Sequence, residues 1–191
     1  MLGDLPRSVV LENGNEYYLN TDFRVALTIF EAYDDADLSD EEKTLVMITT
    51  LFEDYSQIPH EELAEACKKA SEWLDGGVKY ESKSDGKPVM NWVQDEQMIF
   101  SAVNRVAGQE VRAAPYMHWW TFLGLMQEID EKSLISTVIQ LRTKKNSGKK
   151  LEKWEQDFYK KHKKMIDIPK KYTKEEKAER DAINRILNGG E

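Results

Sequence analysis

Residues 116–129, Tyr-Met-His-Trp-Trp-Thr-Phe-Leu-Gly-Leu-Met-Gln-Glu-Ile, form the densest apolar stretch of the chain and set two of its five tryptophans side by side. Spaced at about 100° per residue, Tyr116, Trp119, Trp120, Phe122, Leu123, Met126 and Ile129 occupy one broad arc of a helix, and Thr121, Glu128 and His118 share the narrow remainder. An arc that wide suits a helix enclosed by neighbours; a surface helix carries a thinner stripe. Trp119, Phe122 and Leu123 are therefore expected as core anchors, with Tyr116, Trp120 and Met126 as contacts for a partner. Each aromatic ring buries about 150–250 Å² in either role.

The rest of the chain supplies elements to pack around that segment. Ser8 to Leu19 predicts a β-hairpin, because Asn13-Gly14 accepts the positive φ of a tight turn between two apolar runs. Asn20, Thr21 and Asp22 offer helix caps before Phe23, Ala26, Leu27, Phe30 and Tyr33. Ser39-Asp-Glu-Glu42 is a capping box that opens a second helix with Leu45, Ile48, Leu51, Phe52 and Tyr55 as its buried stripe. A third helix runs from about Glu61 to Leu74 and stops at Asp75-Gly76-Gly77, and residues 76–91 predict a loop with a short hairpin at Asp85-Gly86. Trp92 to Val106 makes a fourth helix, and Ser133 caps another that carries Leu134 to Arg142. The fold class is thus mainly α: a compact helical domain, residues 1–143, with a short N-terminal hairpin, followed by a basic helical extension, residues 144–191.

That division coincides with a division of charge. Residues 144–191 hold 15 Lys/Arg against 9 Asp/Glu, a net of +6, while residues 1–143 hold 12 against 26, a net of −14. Such asymmetry points to an interaction surface at one end. Leu151, Trp154, Phe158 and Met165 form a thin apolar stripe among the lysines, so Trp154 and Phe158 join the expected partner contacts; Pro169 ends this helix. A last helix starts at the Thr173-Lys-Glu-Glu176 box and carries Ala178, Ala182, Ile183, Ile186 and Leu187. Between Lys144 and Lys174 there are twelve lysines and no arginine, hence point charges without the bidentate fork that reads bases; sequence-specific nucleic-acid binding is disfavoured.

Little here suggests chemistry. The longest apolar run, Leu45 to Phe52, is too short to span a bilayer, and Met1 to Arg7 lacks the features of a signal peptide, so a cytoplasmic protein is expected. Cys67 is the single cysteine, which excludes an intrachain disulfide. Asp34, Asp35, Asp37 and Ser39 do not make a calcium loop starting at Asp35, since Asp40 and Val46 stand where glycine and glutamate are needed. Cys67 follows His60 by seven residues but has no third orienting group, and His118 and His162 have no second ligand at metal spacing. No catalysis, metal or cofactor is expected.

The order of several short motifs carries a resemblance. Gln94-Asp95 followed by Ile99 and Ala102, then Gly108-Gln-Glu-Val111, then His118-Trp-Trp-Thr-Phe-Leu-Gly-Leu125, then Ile139-Gln-Leu-Arg142, is similar to the gene-product-fifteen family of tailed bacteriophages infecting Gram-positive bacteria. With the N-terminal hairpin and first helices, the resemblance covers roughly residues 5–143. It implies a small helical protein of virion morphogenesis resembling tail assembly chaperones, which keep the tape measure protein soluble in the host cytoplasm until tail tube protein displaces them. Many copies would be needed to coat so long a client, so self-association is implied too. The alternatives are a structural virion or connector component, or a packaging protein that meets nucleic acid through its lysine-rich tail.

Overall fold

A computed structural model describes residues 3–77, 87–170 and 172–187. The hairpin pairs β1 (Ser8–Val10) with β2 (Glu16–Tyr18) in antiparallel register, Val9 opposite Tyr17. Its connection is longer than the tight turn expected, and Gly14 alone takes positive φ (+86°) there; Asn13 instead accepts the Asn15 amide on its side chain. The loop expected between residues 76 and 91 lies largely outside the described residues, and the hairpin at Asp85-Gly86 does so entirely.

Eight α-helices follow among the described residues. They are α1 (Phe23–Tyr33), α2 (Asp40–Leu51), α3 (Leu63–Leu74), α4 (Trp92–Ala107), α5 (Trp119–Gln127), α6 (Leu134–Asn146), α7 (Lys153–Ile166) and α8 (Lys174–Leu187). Their starts obey local chemistry. Asp22 accepts from the Arg24 amide, Ser39 and Glu42 form the reciprocal capping box, and Ser133 accepts from Ser136. Gly108, at φ +67°, ends α4 in the left-handed conformation that a Cβ disfavours.

Three features depart from the sequence reading. The central helix begins at Trp119, three residues later than the apolar pattern starts, because His118 is its cap and residues 116–118 run extended: the Trp119 amide donates to Thr21 O at 2.8 Å and Phe23 to Met117 O at 2.9 Å. Tyr116 is consequently off the helix. In α2 the buried residues are Met47, Ile48 and Leu51, with Phe52 just beyond, whereas Leu45 is 57% exposed and Tyr55 45% exposed. Ile48, Leu51 and Phe52 are buried as expected, and packing against α1 and α3 covers Met47 in place of Leu45 and Tyr55. Finally, the boundary drawn at 143/144 falls inside α6, which continues to Asn146, and α7 folds back onto α6 through Leu151, Phe158, Tyr159, Met165 and Ile166 around Val138 and Leu141.

The core is aromatic. Phe23 stacks on Phe122 at 4.8 Å, Phe122 on Trp119 at 5.7 Å, and Phe30 on Trp92 at 5.4 Å. Trp119 and Phe122 are fully buried, as anchors should be, while Leu123 is half-buried.

Two helix ends in this core are finished by side chains from elsewhere. The last carbonyls of a helix have no partner in their own turn. At the end of α3, the indole nitrogens of Trp119 and Trp120 donate to Leu74 O (2.7 Å) and Trp73 O (2.9 Å). The adjacent tryptophans thus cap adjacent carbonyls. Gly77, φ +77°, lets the Trp120 ring approach, since a Cβ there would lie 3.0 Å from its Cη2. At the end of α7, Arg142 donates to Ile166 O (2.6 Å) and Met165 O (2.9 Å), and Gln94 Nε2 donates to Lys164, Met165 and Asp167 carbonyls. The cation also suits the negative end of the helix dipole.

Candidate protein-interaction surface

Helices α1 and α4 run antiparallel: Phe30, late in α1, stacks on Trp92 at the start of α4, while Phe23 meets Phe100 edge-on at 6.2 Å. Between them opens a groove of about 370 Å³ floored by Phe23, Leu27, Trp92, Ile99, Phe100 and Phe122, with Val93, 53% exposed, on its lip. That volume falls at the lower end of ordinary ligand pockets, and the lining is suited to apolar side chains. Charged side chains rim it. Arg24 lies 4.5 Å over the Phe23 ring and Arg112 4.8 Å over Phe100, each guanidinium paired, with Asp22 and Glu110. The bidentate bonds from Arg112 lower the Glu110 carboxyl to about 2. Glu31 and Glu96 form the rest of the rim, both exposed. A second depression of about 680 Å³ lies along another face of α4, with Met98, Ala102, Val106, Ile129 and Leu134 in its lining.

The five expected contact residues do not converge on one surface. Tyr116 is 48% exposed and shares a 2.7 Å hydrogen bond with Thr21. Trp120 and Met126 are half-buried against the main core, and Trp120 is held by its carbonyl partner on α3. Phe158 packs on the separate cluster beneath α7, its ring tilted at 38° and 4.5 Å from that of His162, and Trp154 is 55% exposed. What the sequence reading missed is the α1/α4 groove. Phe23 and Leu27 fit an ordinary helix stripe, and only the pairing of α1 with α4, across residues 34–91, opens a gap between them.

His118, expected on the polar arc, is 3% exposed. Its Nδ1 accepts the Trp120 amide at 3.0 Å, so Nδ1 is bare and Nε2 carries the proton donated to Pro6 O at 3.0 Å. The neutral ring thus caps α5 and fastens the N-terminal segment. Burial lowers its pKa, and the nearby Arg7 charge acts in the same sense. Above the ordinary pKa of about 6.5 the neutral cap is fully present, and its stabilisation is lost as pH falls through the lowered folded-state value. Urea unfolding should show a loss of about 1 kcal/mol between pH 7.5 and acid, the worth of an N-cap. His118→Asn, which caps without titrating, should remove that component; an unchanged pH profile in this variant would refute the assignment.

Cys67 is half-buried, and burial raises its thiol pKa, which keeps it protonated and unreactive. Among the described residues no group of three or more His, Cys, Asp and Glu side chains is placed to hold a metal ion, and no helix is long and apolar enough to cross a membrane.

Comparison with known proteins places residues 2–168 on the family model of the bacteriophage Gp15 protein. The match runs past Arg142 and takes in α7. No curated protein and no solved structure matches the chain.

Proposed function

The chain belongs to the bacteriophage Gp15 protein family, and from that premise we propose that it is a tail assembly chaperone, a non-enzymatic protein that keeps the tape measure protein soluble in the host cytoplasm until tail tube protein takes over. Family membership carries this reading, and the α1/α4 groove gives it a physical means. A long helical client exposes amphipathic helices, and such helices are bound by laying apolar side chains into a groove between helices. The groove offers Leu27, Trp92 and Val93 for this, with paired arginines and exposed carboxylates on the rim to orient the ligand. Self-association completes the role, since one groove covers only a short part of a long client.

Co-expression with an otherwise insoluble tape measure fragment should bring the fragment into the soluble fraction. Val93→Glu places a charge on the groove lip at a site already open to water, so the variant should fold normally yet lose most of that effect. If the fragment remains insoluble with the native protein, the reading fails. Stoichiometric recovery of the chain in purified virions would instead make it a structural component.

A further inference from the structure

Helix α7 presents two faces. Phe158, Tyr159, Met165 and Ile166 turn inward onto α6. Lys153, Lys160 and Lys161 fall within an arc of about 100° on the other side, by helical geometry, Lys164 follows a kink at His162 (φ −119°, ψ 24°), and all four are exposed. Lys144 and Lys145 at the end of α6 are committed to Glu155 and Asp167, whereas these four take part in none of the ion pairs among the described residues. Beside them stands Trp154, 55% exposed, its indole nitrogen satisfied by Glu152 at 2.9 Å. An exposed tryptophan amid unpaired lysines is a surface without a counterpart in its own fold.

The opposite chemistry occurs on the same chain. Asp35, Asp40 and Glu41 are exposed around the start of α2, and Leu45, one turn on from Glu41, is 57% exposed. Helix α2 packs against α1 and α3, and α7 against α6; within one copy it is Lys174, at the start of α8, that meets the acidic segment, at Asp37, while Asp35, Asp40 and Glu41 take part in none of the ion pairs among the described residues. We propose that α7 of one copy docks across the beginning of α2 of a second copy, with Lys160, Lys161 and Lys164 facing Asp35, Asp40 and Glu41, and Trp154 against Leu45. Exposed ion pairs contribute little singly. Charge therefore sets orientation and encounter rate, and the tryptophan anchors the contact. The contact joins unlike faces, so every copy offers one of each and the association can propagate along a client. Nucleic acid is the weaker candidate: the face holds point charges without the fork that reads bases, and of its aromatics only Trp154 is turned outward, Phe158 and Tyr159 being packed on α6.

This inference rests on the self-association in the proposed function, and its test is separate from the client assay. Sedimentation of the purified chain at about 50 mM and about 500 mM NaCl should show oligomers at low salt and association weakened at least about tenfold at high salt, where screening is severe. K160E/K161E/K164E and D35K/D40K/E41K should each be folded by circular dichroism and monomeric alone. Mixed in equal amounts they should associate again, because each reversed face then meets its complement. Trp154→Ala should weaken association about tenfold or more. A native chain that stays monomeric at low salt, a lysine variant that still associates, or folded variants that fail to rescue each other would overturn the contact. So would retention of short duplex DNA that disappears in the lysine variant while self-association is untouched.

Discussion

Trp119→Ala is expected to lower the unfolding free energy by about 3–5 kcal/mol, the range for truncating a large buried aromatic, because its ring is 1% exposed and lies among Phe30, Trp92 and Phe122. The indole also leaves Leu74 O without its donor, so a vacant volume and an unsatisfied carbonyl add together. A domain of this size has about 5–15 kcal/mol in hand, and such a loss removes a large part of it. Urea denaturation followed by far-UV circular dichroism reads the effect. Trp120→Ala, at a half-buried ring, should cost visibly less, and equal losses at the two positions would contradict the burial assignment.

The second large effect is expected at Arg142 and Asp95, whose side chains are 4% and 0% exposed. Arg142 Nη2 donates to Asp95 Oδ1 at 2.9 Å and Nη1 to Asp95 Oδ2, while Asp95 Oδ2 also accepts the Asn91 amide at 2.9 Å. The remaining guanidinium donors reach Val89, Met165 and Ile166 carbonyls. One ion pair thus joins α4, α6, the end of α7 and the segment before α4. Removing one member of a buried pair strands the other charge, at a cost of about 3–5 kcal/mol. Arg142→Met should show that loss together with faster proteolysis around α7, whose terminal carbonyls lose their cap. Combining it with Asp95→Leu should restore part of the stability, because no buried charge is then left alone. A single-variant loss below about 1 kcal/mol would show the pair to be solvated.

The comparison of these two sites shows what can be read from a sequence. Ser39 and Glu42 needed only their own three-residue spacing, so the start of α2 was legible, as were Asp22 and Ser133. Trp119 and Phe122 were legible as core because hydrophobic periodicity reports burial whatever the neighbours are. Leu45 was misjudged for the same reason: periodicity gives a stripe, and tertiary packing chooses which edge of it is covered. Asp95 and Arg142 lie 47 residues apart, and nothing local marks a charged residue that will be buried. Both stood in the motifs that carried the family resemblance, and their pairing supplies a structural reason for that pattern. The groove between α1 and α4 was invisible until two helices separated by α2 and α3 were placed side by side.

The Pro6 carbonyl accepts from both Trp73 Nε1, at 3.1 Å, and His118 Nε2, at 3.0 Å. A growing polypeptide therefore cannot fasten the segment before β1 fully until His118, 112 residues on from Pro6, has cleared the ribosomal exit. The hairpin finds support sooner, since two strands alone are marginal in water: it rests on the end of α2 and the start of α3 through the Leu19–Phe52 bridge, the Tyr17–Phe52 ring contact and the Tyr17 hydroxyl donated to Glu62. Pro6 is thus clasped in two stages: Trp73, the earliest tryptophan to be made, supplies one donor, and His118 supplies the other only after α4 has been synthesised.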